Sequence, residues 1–391
     1  MRFIAYENCK RFFKSYKEMN FKRINLLMIT SNGVGGGPKQ ISSLCNSISN
    51  EINIFVACPR INTLKIYKKN FSKANFVYIK ERKISLKDIY NLCIFIRKNS
   101  INIIHSHGKG ASLIGRILAF IFNIKHIYTF HGIHLVFHNF LYKKLFTLYE
   151  NLFGFIDSHK IFVSDSEKLC ALKKGFIIKK NHSVILNGIN VNNKLIDQKK
   201  IKRKIRSKLN IKIDEIIVIT VCRLVNQKNI FELLEIAKIC KTIKFLILGN
   251  GDLKNQIMEK IKRENIENVF LLGNKKDIKN YLISSDIFIS TSIYEGLPFS
   301  VLEAMSYKLP VVLSKVTGNI DTIENNISGY FYNLGKIIQA SNIIKHLSVS
   351  KKERNLIGVN AYLRIKKKFN LKNMTSMHEK LYFNLVKKNN L

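Results

Sequence analysis

The chain has 391 residues, 46% hydrophobic and 24% charged, enough for about two domains each with its own core; a disulfide-stapled miniprotein, a collagen-like repeat and a wholly disordered chain are excluded. Its 66 Lys and Arg against 26 Asp and Glu leave a formal charge of +40. Both halves share the excess, so no dedicated basic module stands out, and compositional bias toward Lys, Ile and Asn accounts for it as readily as attraction to a polyanion or an anionic membrane.

Residues 1–23 form a basic extension in which Phe3, Ile4, Phe12, Phe13 and Tyr16 alternate with cations. Such a segment suits either an amphipathic helix lying on a membrane or a helix capping the first sheet. Its charges interrupt any apolar core of a secretory signal. Residues 24–30 (INLLMIT) then read as a strand, the glycine-rich run 33–37 as a loop, and Ile41, Leu44, Cys45 and Ile48 as one face of a helix. Strands at 52–57 and 76–79, a helix at 86–97 and a strand at 101–105 continue the alternation. The apolar stretch 111–130 is broken by Arg116, Lys125 and His126 and is too interrupted to span a bilayer.

A basic helix at 198–209 opens a second series: strand 216–221, helix 229–240, strand 243–248, helix 253–263, then strands 269–272, 287–290 and 311–313. The expected organisation is an extension at 1–23, an α/β domain at 24–190, a second at 191–365, and a C-terminal helix at 366–391. Strands alternating with helices imply parallel sheets covered on both faces. The seven cysteines are scattered without metal-ligand spacing, as expected of reduced thiols in a cytoplasmic protein.

Chemistry concentrates after the strands. Gly35, Gly36 and Gly37 allow close backbone approach to an anion, although a tight structural turn would use the same residues. Arg223 and Lys228 place two cations five positions apart directly after a strand, a spacing suited to a pyrophosphate. Gly249, Asn250 and Gly251 follow the next strand, and Gly273 the one after. The most specific segment runs from Ser292 through Glu295, Gly296, Leu297, Pro298, Phe299 and Ser300 to Glu303. There two carboxylates flank a helix start, where they can accept hydroxyl hydrogen bonds while backbone amides face a phosphate. His105 and His107 end one strand and His131 follows another; the two-residue spacing of the first pair resembles a metal pair, but no third ligand is evident and no metal is expected.

This ensemble, with Asn187-Gly188, Ser285-Asp286 and the later Gly318 and Gly329, resembles the retaining glycosyltransferases of family 4. The resemblance implies the GT-B fold: α/β, two Rossmann-like domains with parallel sheets facing each other across a cleft and a C-terminal helix packing back. It implies transfer of a hexose or N-acetylhexosamine from a nucleotide diphosphate sugar, a UDP-sugar being favoured, to a glycan or polyprenyl-linked acceptor in cell-surface polysaccharide synthesis. Arg223 and Lys228 would neutralise the diphosphate, Glu303 would bind the ribose, Glu295 the sugar, and His131 would lie across the cleft near sugar and acceptor. The glycines named above would line the donor, with Gly296, Leu297, Pro298, Phe299 and Ser300 presenting amides, and His105, His107 and Asn187 would form the acceptor side. No cofactor or metal and no nucleic-acid partner is expected; a peripheral position on the cytoplasmic face of an anionic membrane is. Cys222 stands where relatives carry glycine. The competing readings are a nucleotide-sugar epimerase on the same scaffold and a basic protein binding nucleic acid or membrane.

Overall fold

The computed structural model describes residues 23–387 apart from 34, 61–73, 82, 84, 134, 137–138, 179–180 and 192–196; the extension at 1–23, expected either to lie on a membrane or to cap the first sheet, falls outside the described residues but for Arg23. The chain divides into two compact units. Within the described residues the first holds those up to Val163, then Lys168–Ile185 and everything from Leu371, and the second holds Ser164–Glu167 and Leu186–Asn370.

The first unit is built on seven strands, β1 (Ile24–Thr30), β2 (Ile52–Pro59), β3 (Ala74–Ile79), β4 (Ile103–His107), β5 (Lys125–Thr129), β6 (His159–Phe162) and β7 (His182–Val184), in the order β3-β2-β1-β4-β5-β6-β7. All pair in parallel. Because successive side chains of a strand point to opposite faces, β1 feeds two cores. Leu26 and Met28 pack with Ile41 and Leu44 of the helix Gly36–Cys45 and with Met374 and Tyr382 of the C-terminal helix Leu371–Lys387. Leu27 and Ile29 pack with Leu92 and Ile96 of the helix Leu86–Lys98 and Leu118 of the helix Lys109–Phe122.

The second unit has six parallel strands, β8 (Ile217–Val221), β9 (Lys244–Leu248), β10 (Val269–Gly273), β11 (Ile287–Ser290), β12 (Val311–Ser314) and β13 (Tyr330–Tyr332), ordered β10-β9-β8-β11-β12-β13. Its core joins Val218, Ile247, Ile287 and Val312 to Leu233 and Ala237 of the helix Ile230–Ile239. The basic helix Gln198–Lys208 is held to this sheet by buried Arg206, which donates to Asp286 at 2.6 Å and to the Ser284 and Glu215 carbonyls at 3.1 and 2.6 Å. Asp286, one of the motif residues, is therefore the anchor of that helix.

Three expectations need correction. The strand expected at 101–105 is Ile103–His107, because the Asn102 side chain accepts from the Asn25 N–H at 3.0 Å and holds residues 101–102 as a connector. The boundary expected after 190 falls at Leu186. The last helix does not begin at 366: Lys351–Lys368 is one helix, a break at Phe369 and Asn370 follows, and only Leu371–Lys387 returns to the first unit.

Candidate active site

Each sheet reverses its strand order once, with β1 between β2 and β4 and β8 between β9 and β11. At such a reversal the connections leave to opposite sides and open a crevice at the carboxyl ends of the strands, where open parallel sheets bind ligands. The glycine run and His107 sit at the first reversal; Arg223, Lys228 and Glu295 sit at the second.

In the second unit β8 runs through Cys222 and Arg223 into a short 3-10 turn, Asn226–Lys228, and β11 ends at Ser290. Two connections are laced together: the Thr291 hydroxyl donates to the Lys228 and Asn229 carbonyls at 2.9 and 3.0 Å, and the Ile293 N–H to the Gln227 carbonyl at 2.9 Å. The lacing brings the Lys228 ammonium onto the Glu295 carboxylate, residues 67 positions apart, with both side chains largely buried. Ser292 donates to the same carboxylate oxygen at 2.7 Å, and the Gln227 amide donates to the Tyr294 carbonyl at 2.9 Å. Arg223 belongs to the same group of charges. Burial raises the Cys222 thiol to about 11 against the pull of Lys228 and Arg223, and the Tyr294 phenol is raised by burial and Glu295 while Arg223 opposes.

The glycine turn after β9 supports this cluster. At Gly249, φ is +141° and a Cβ would collide with the Cys222 carbonyl oxygen, while a Cβ on Gly251 would come within 2.7 Å of the Leu224 nitrogen. Leu224 in turn donates to the Asn250 carbonyl at 3.0 Å. This turn is packed on the backbone that carries Arg223 and fixes where the guanidinium starts. Gly273 lies farther out on edge strand β10, where its carbonyl accepts from Gly249 N–H at 3.0 Å.

Beyond Glu295 the chain enters the helix Phe299–Ser306 through Pro298. No acidic residue and no side-chain cap occupies its first turn, so the positive end of its dipole is not neutralised from within the helix. Leu297, Phe299 and Glu295 are buried, Ser300 and Glu303 half-buried. The Gly296 carbonyl accepts from the Ser164 hydroxyl at 2.8 Å and the Leu297 carbonyl from the Asn187 amide at 2.8 Å. Asn187, expected on the acceptor side, is thus a buried support of the carboxylate loop in the second unit. Glu303 lies near Tyr307, whose phenol is raised by burial and by that carboxylate.

In the first unit His131 follows β5 and lies over the start of the helix Gly36–Cys45. A Cβ on Gly36 would come within 3.5 Å of His131 Nδ1, and one on Gly37 within 3.3 Å of His107 Cβ and 3.4 Å of His131 Cδ2. The glycines thus admit an imidazole against the helix N-terminus. His107 Nδ1 faces His131 Nε2 at 3.2 Å, the rings stacked at 5.4 Å. His107 is held well below the usual imidazole range by burial, with His131 and His378 adding repulsion, so it is neutral near pH 7. His105 differs from the expectation. It is fully buried, with Nδ1 2.7 Å from the Tyr382 hydroxyl and Nε2 2.7 Å from the Thr129 hydroxyl, so both nitrogens are engaged inside the first unit and it is a core residue.

Sequence reasoning missed Gln227, Ser164 and the Ser166–Asp321 hydrogen bond, which with Gly318 N–H donating to Ser166 at 2.7 Å ties the two loops that flank Glu295. Ser292, which opens the segment singled out in the sequence, has the added part of holding the Glu295 carboxylate. Among the described residues no three His, Cys, Asp or Glu side chains gather as a metal cluster.

Two family models match consecutive stretches of the chain, Glycosyltransferase Family 4 over residues 34–193 and Glycosyl transferases group 1 over residues 201–364. The chain is 27% identical over 354 residues to a UDP-Gal:alpha-D-GlcNAc-diphosphoundecaprenol alpha-1,3-galactosyltransferase from Escherichia coli, covering 86% of this chain and 90% of that one. It is 28% identical to the capsular polysaccharide biosynthesis glycosyltransferase CapM of Staphylococcus aureus, covering 77% and 82%. In fold it resembles Anabaena HepE, solved with UDP and glucose, at a TM-score of 0.81 and 18% identity over 93% of this chain and 100% of that one. A glycosyltransferase from Rickettsia africae superimposes at a TM-score of 0.77 and 19% identity, covering 94% and 100%.

Proposed function

This chain belongs to the group 1 and family 4 glycosyltransferases with the GT-B fold, and on that premise we propose that it transfers a hexose or N-acetylhexosamine, with retention, from a UDP-sugar to a lipid-linked or glycan acceptor of a cell-surface polysaccharide. The observation that carries the reading is the meeting of Lys228 and Glu295 at the strand reversal of the second unit, on the connection that also carries Arg223. A leaving diphosphate gains negative charge as the glycosidic bond breaks, and fixed cations in a largely buried setting stabilise that charge without reorganising.

In this reading Arg223 and Lys228 hold the diphosphate together with the N-terminal amides of the helix Phe299–Ser306. Glu303 accepts from the ribose hydroxyls. Glu295, fixed by Ser292, accepts from sugar hydroxyls when Lys228 turns to phosphate. With cations in place of a divalent ion, the reaction needs no metal, and a front-face attack in which the departing phosphate oxygen takes the acceptor proton is consistent with retention. His131, poised on Gly36 and Gly37, serves the reacting sugar and acceptor. The named substrate of the Escherichia coli relative, a sugar on diphosphoundecaprenol, supports a polyprenyl-linked acceptor; an acceptor with so long a hydrocarbon tail is consistent with a peripheral place at the cytoplasmic face of the membrane.

The test is thermal shift and product analysis across UDP-, GDP-, ADP- and CMP-sugars, with and without chelator, followed by NMR of the product anomer. Stabilisation by a UDP-sugar that survives chelator, is lost in Lys228→Ala and gives a retained anomer is expected. Selective stabilisation by another nucleotide class, an inverted product, or an epimer formed with no acceptor would overturn the corresponding part.

A further inference from the structure

The helix Phe140–Phe153 turns its apolar residues in two directions. Tyr142 and Phe146 pack inward toward Phe130 and Phe176, and Glu150 is buried against Arg116, whose Nη2 lies 2.7 Å away. On the opposite side Leu141, Leu145, Leu148 and Leu152 are 64, 56, 53 and 56% exposed. Spaced at four, three and four positions, they fall within about 60° of one another around the helix axis. Phe140 and Phe155 extend the exposed apolar surface at both ends. Beside them lies the turn at 172–177, bound to the helix by the Asn151 amide donating to the Gly175 carbonyl at 2.9 Å and the Ile177 N–H donating to Asn151 at 2.8 Å, with Leu172 and Ile177 exposed. So large a stripe of exposed leucine is unusual on a protein that meets only water.

Charge selects what covers it. Lys144 is exposed at its edge, its ammonium 4.7 Å from the centre of the Phe140 ring, and Lys143, Lys173 and Lys174 lie nearby in the sequence. The acids between residues 131 and 180 are Glu150, Asp157, Asp165 and Glu167; Glu150 and Asp157 are buried and paired with Arg116, Glu167 is buried, and Asp165, exposed, is in the first turn of the helix Asp165–Lys173, at the opposite end from the turn at 172–177. An apolar stripe rimmed by cations, with no exposed carboxylate on its own helix, complements an anionic bilayer, into which leucines insert while lysine stems reach the headgroups. It does not complement a second copy, which would bring the same cations and another +40 of charge against it.

We propose that the leucine face of the helix Phe140–Phe153, with the turn at 172–177, is the surface by which this chain lies on an anionic membrane. The inference rests on the proposed function only in that a lipid-linked acceptor gives membrane contact a purpose. It assigns the contact to the body of the first unit.

The experiment uses the full chain and extruded vesicles of phosphatidylcholine alone or with roughly 30 mol% phosphatidylglycerol. Flotation with the anionic vesicles is expected, and the triple variant Leu145→Ser/Leu148→Ser/Leu152→Ser should lower the bound-to-free ratio more than about tenfold while leaving thermal stability and donor hydrolysis in detergent unchanged. Because the chain has no tryptophan, Leu148→Trp supplies a single reporter whose emission should shift blue on anionic vesicles and be quenched by brominated lipid. Undiminished flotation of the triple variant, or an emission unmoved by vesicles, overturns the proposal. So does a dimer in sedimentation that the triple variant abolishes while flotation persists. Leucine-dependent flotation in a protein that turns over no nucleotide sugar would leave this surface standing and remove the proposed function; turnover with leucine-independent flotation would do the reverse.

Discussion

His107 and His131 meet through Nδ1 of the first and Nε2 of the second, 3.2 Å apart, so that one proton lies between two imidazoles at the N-terminus of the helix Gly36–Cys45. With His107 kept neutral by burial, its tautomer decides whether His131 Nε2 is a donor or an acceptor. His107→Leu should therefore lower kcat by about tenfold or more and alter its pH profile, whereas His107→Asn, whose amide replaces Nδ1, should recover much of the rate. Equal rates and superimposable profiles for wild type and the leucine variant would reduce the pair to packing.

The same cluster predicts acid sensitivity. His378 is pushed down to about 4 by burial, from an ordinary 6.5, and His105 is lowered for the same reason. A histidine depressed in the folded state binds its proton more readily when unfolded. Its contribution is present above pH 6.5 and is lost as pH falls toward 4. At pH 5 the His378 shift alone is on the order of 2 kcal/mol. Melting temperature should fall between pH 7 and pH 5, and less steeply in His378→Gln; equal slopes would refute the assignment.

Lys228 and Glu295 should couple. Removing one partner leaves the other charge buried, so Lys228→Ala and Glu295→Ala should each cost about 3 kcal/mol of stability, and the double variant much less than the sum. Arg223→Ala and Lys228→Ala should each lower turnover by about 100-fold or more. Strict additivity in unfolding, or near-normal turnover, would contradict the geometry.

Two glycines with positive φ should respond differently to a methyl group. Gly249→Ala meets the Cys222 carbonyl and must displace the strand end that carries Arg223, whereas at Gly273 nothing lies within 4 Å of an added Cβ. Gly273→Ala should cost only about 1–2 kcal/mol of backbone strain, and Gly249→Ala should cost more and weaken donor binding as well. Calorimetry with a donor titration separates the two; matching losses would mean that the close approach at Cys222 is relieved cheaply.

Asn187→Ala should strip the buried Leu297 carbonyl of its donor, at about 1–3 kcal/mol, and raise KM for the donor with a smaller effect on the acceptor. A change confined to the acceptor KM would return Asn187 to the role expected from the sequence.

The grouping of residues after β8 and β11 was legible because its signals are local: both strands are short apolar runs that stop at polar or glycine-containing loops, and Glu295, Pro298 and Glu303 fall within nine residues. The lacing through Thr291, Ser164 and Asn187 was not, since it joins residues far apart with ordinary side chains. The placement of His105 failed for a related reason. A histidine two residues from a strand end looks catalytic in one dimension, and only the return of Tyr382, 277 positions later, closes over it. The helix Phe140–Phe153 gave no clean period because it is apolar on its buried and exposed sides alike.

That return of the last helix bears on the order in which the protein can be made. Strands β1 to β7 leave the ribosome first, yet Met374 and Tyr382 complete their core and Thr375 bonds Ser47 at 2.6 Å. Between Ile185 and Leu371 the whole second unit must be translated, a delay of roughly 10–40 s at ordinary elongation rates. The unit synthesised first is the one finished last, and during that interval its uncapped sheet face is what a chaperone would meet on the nascent chain.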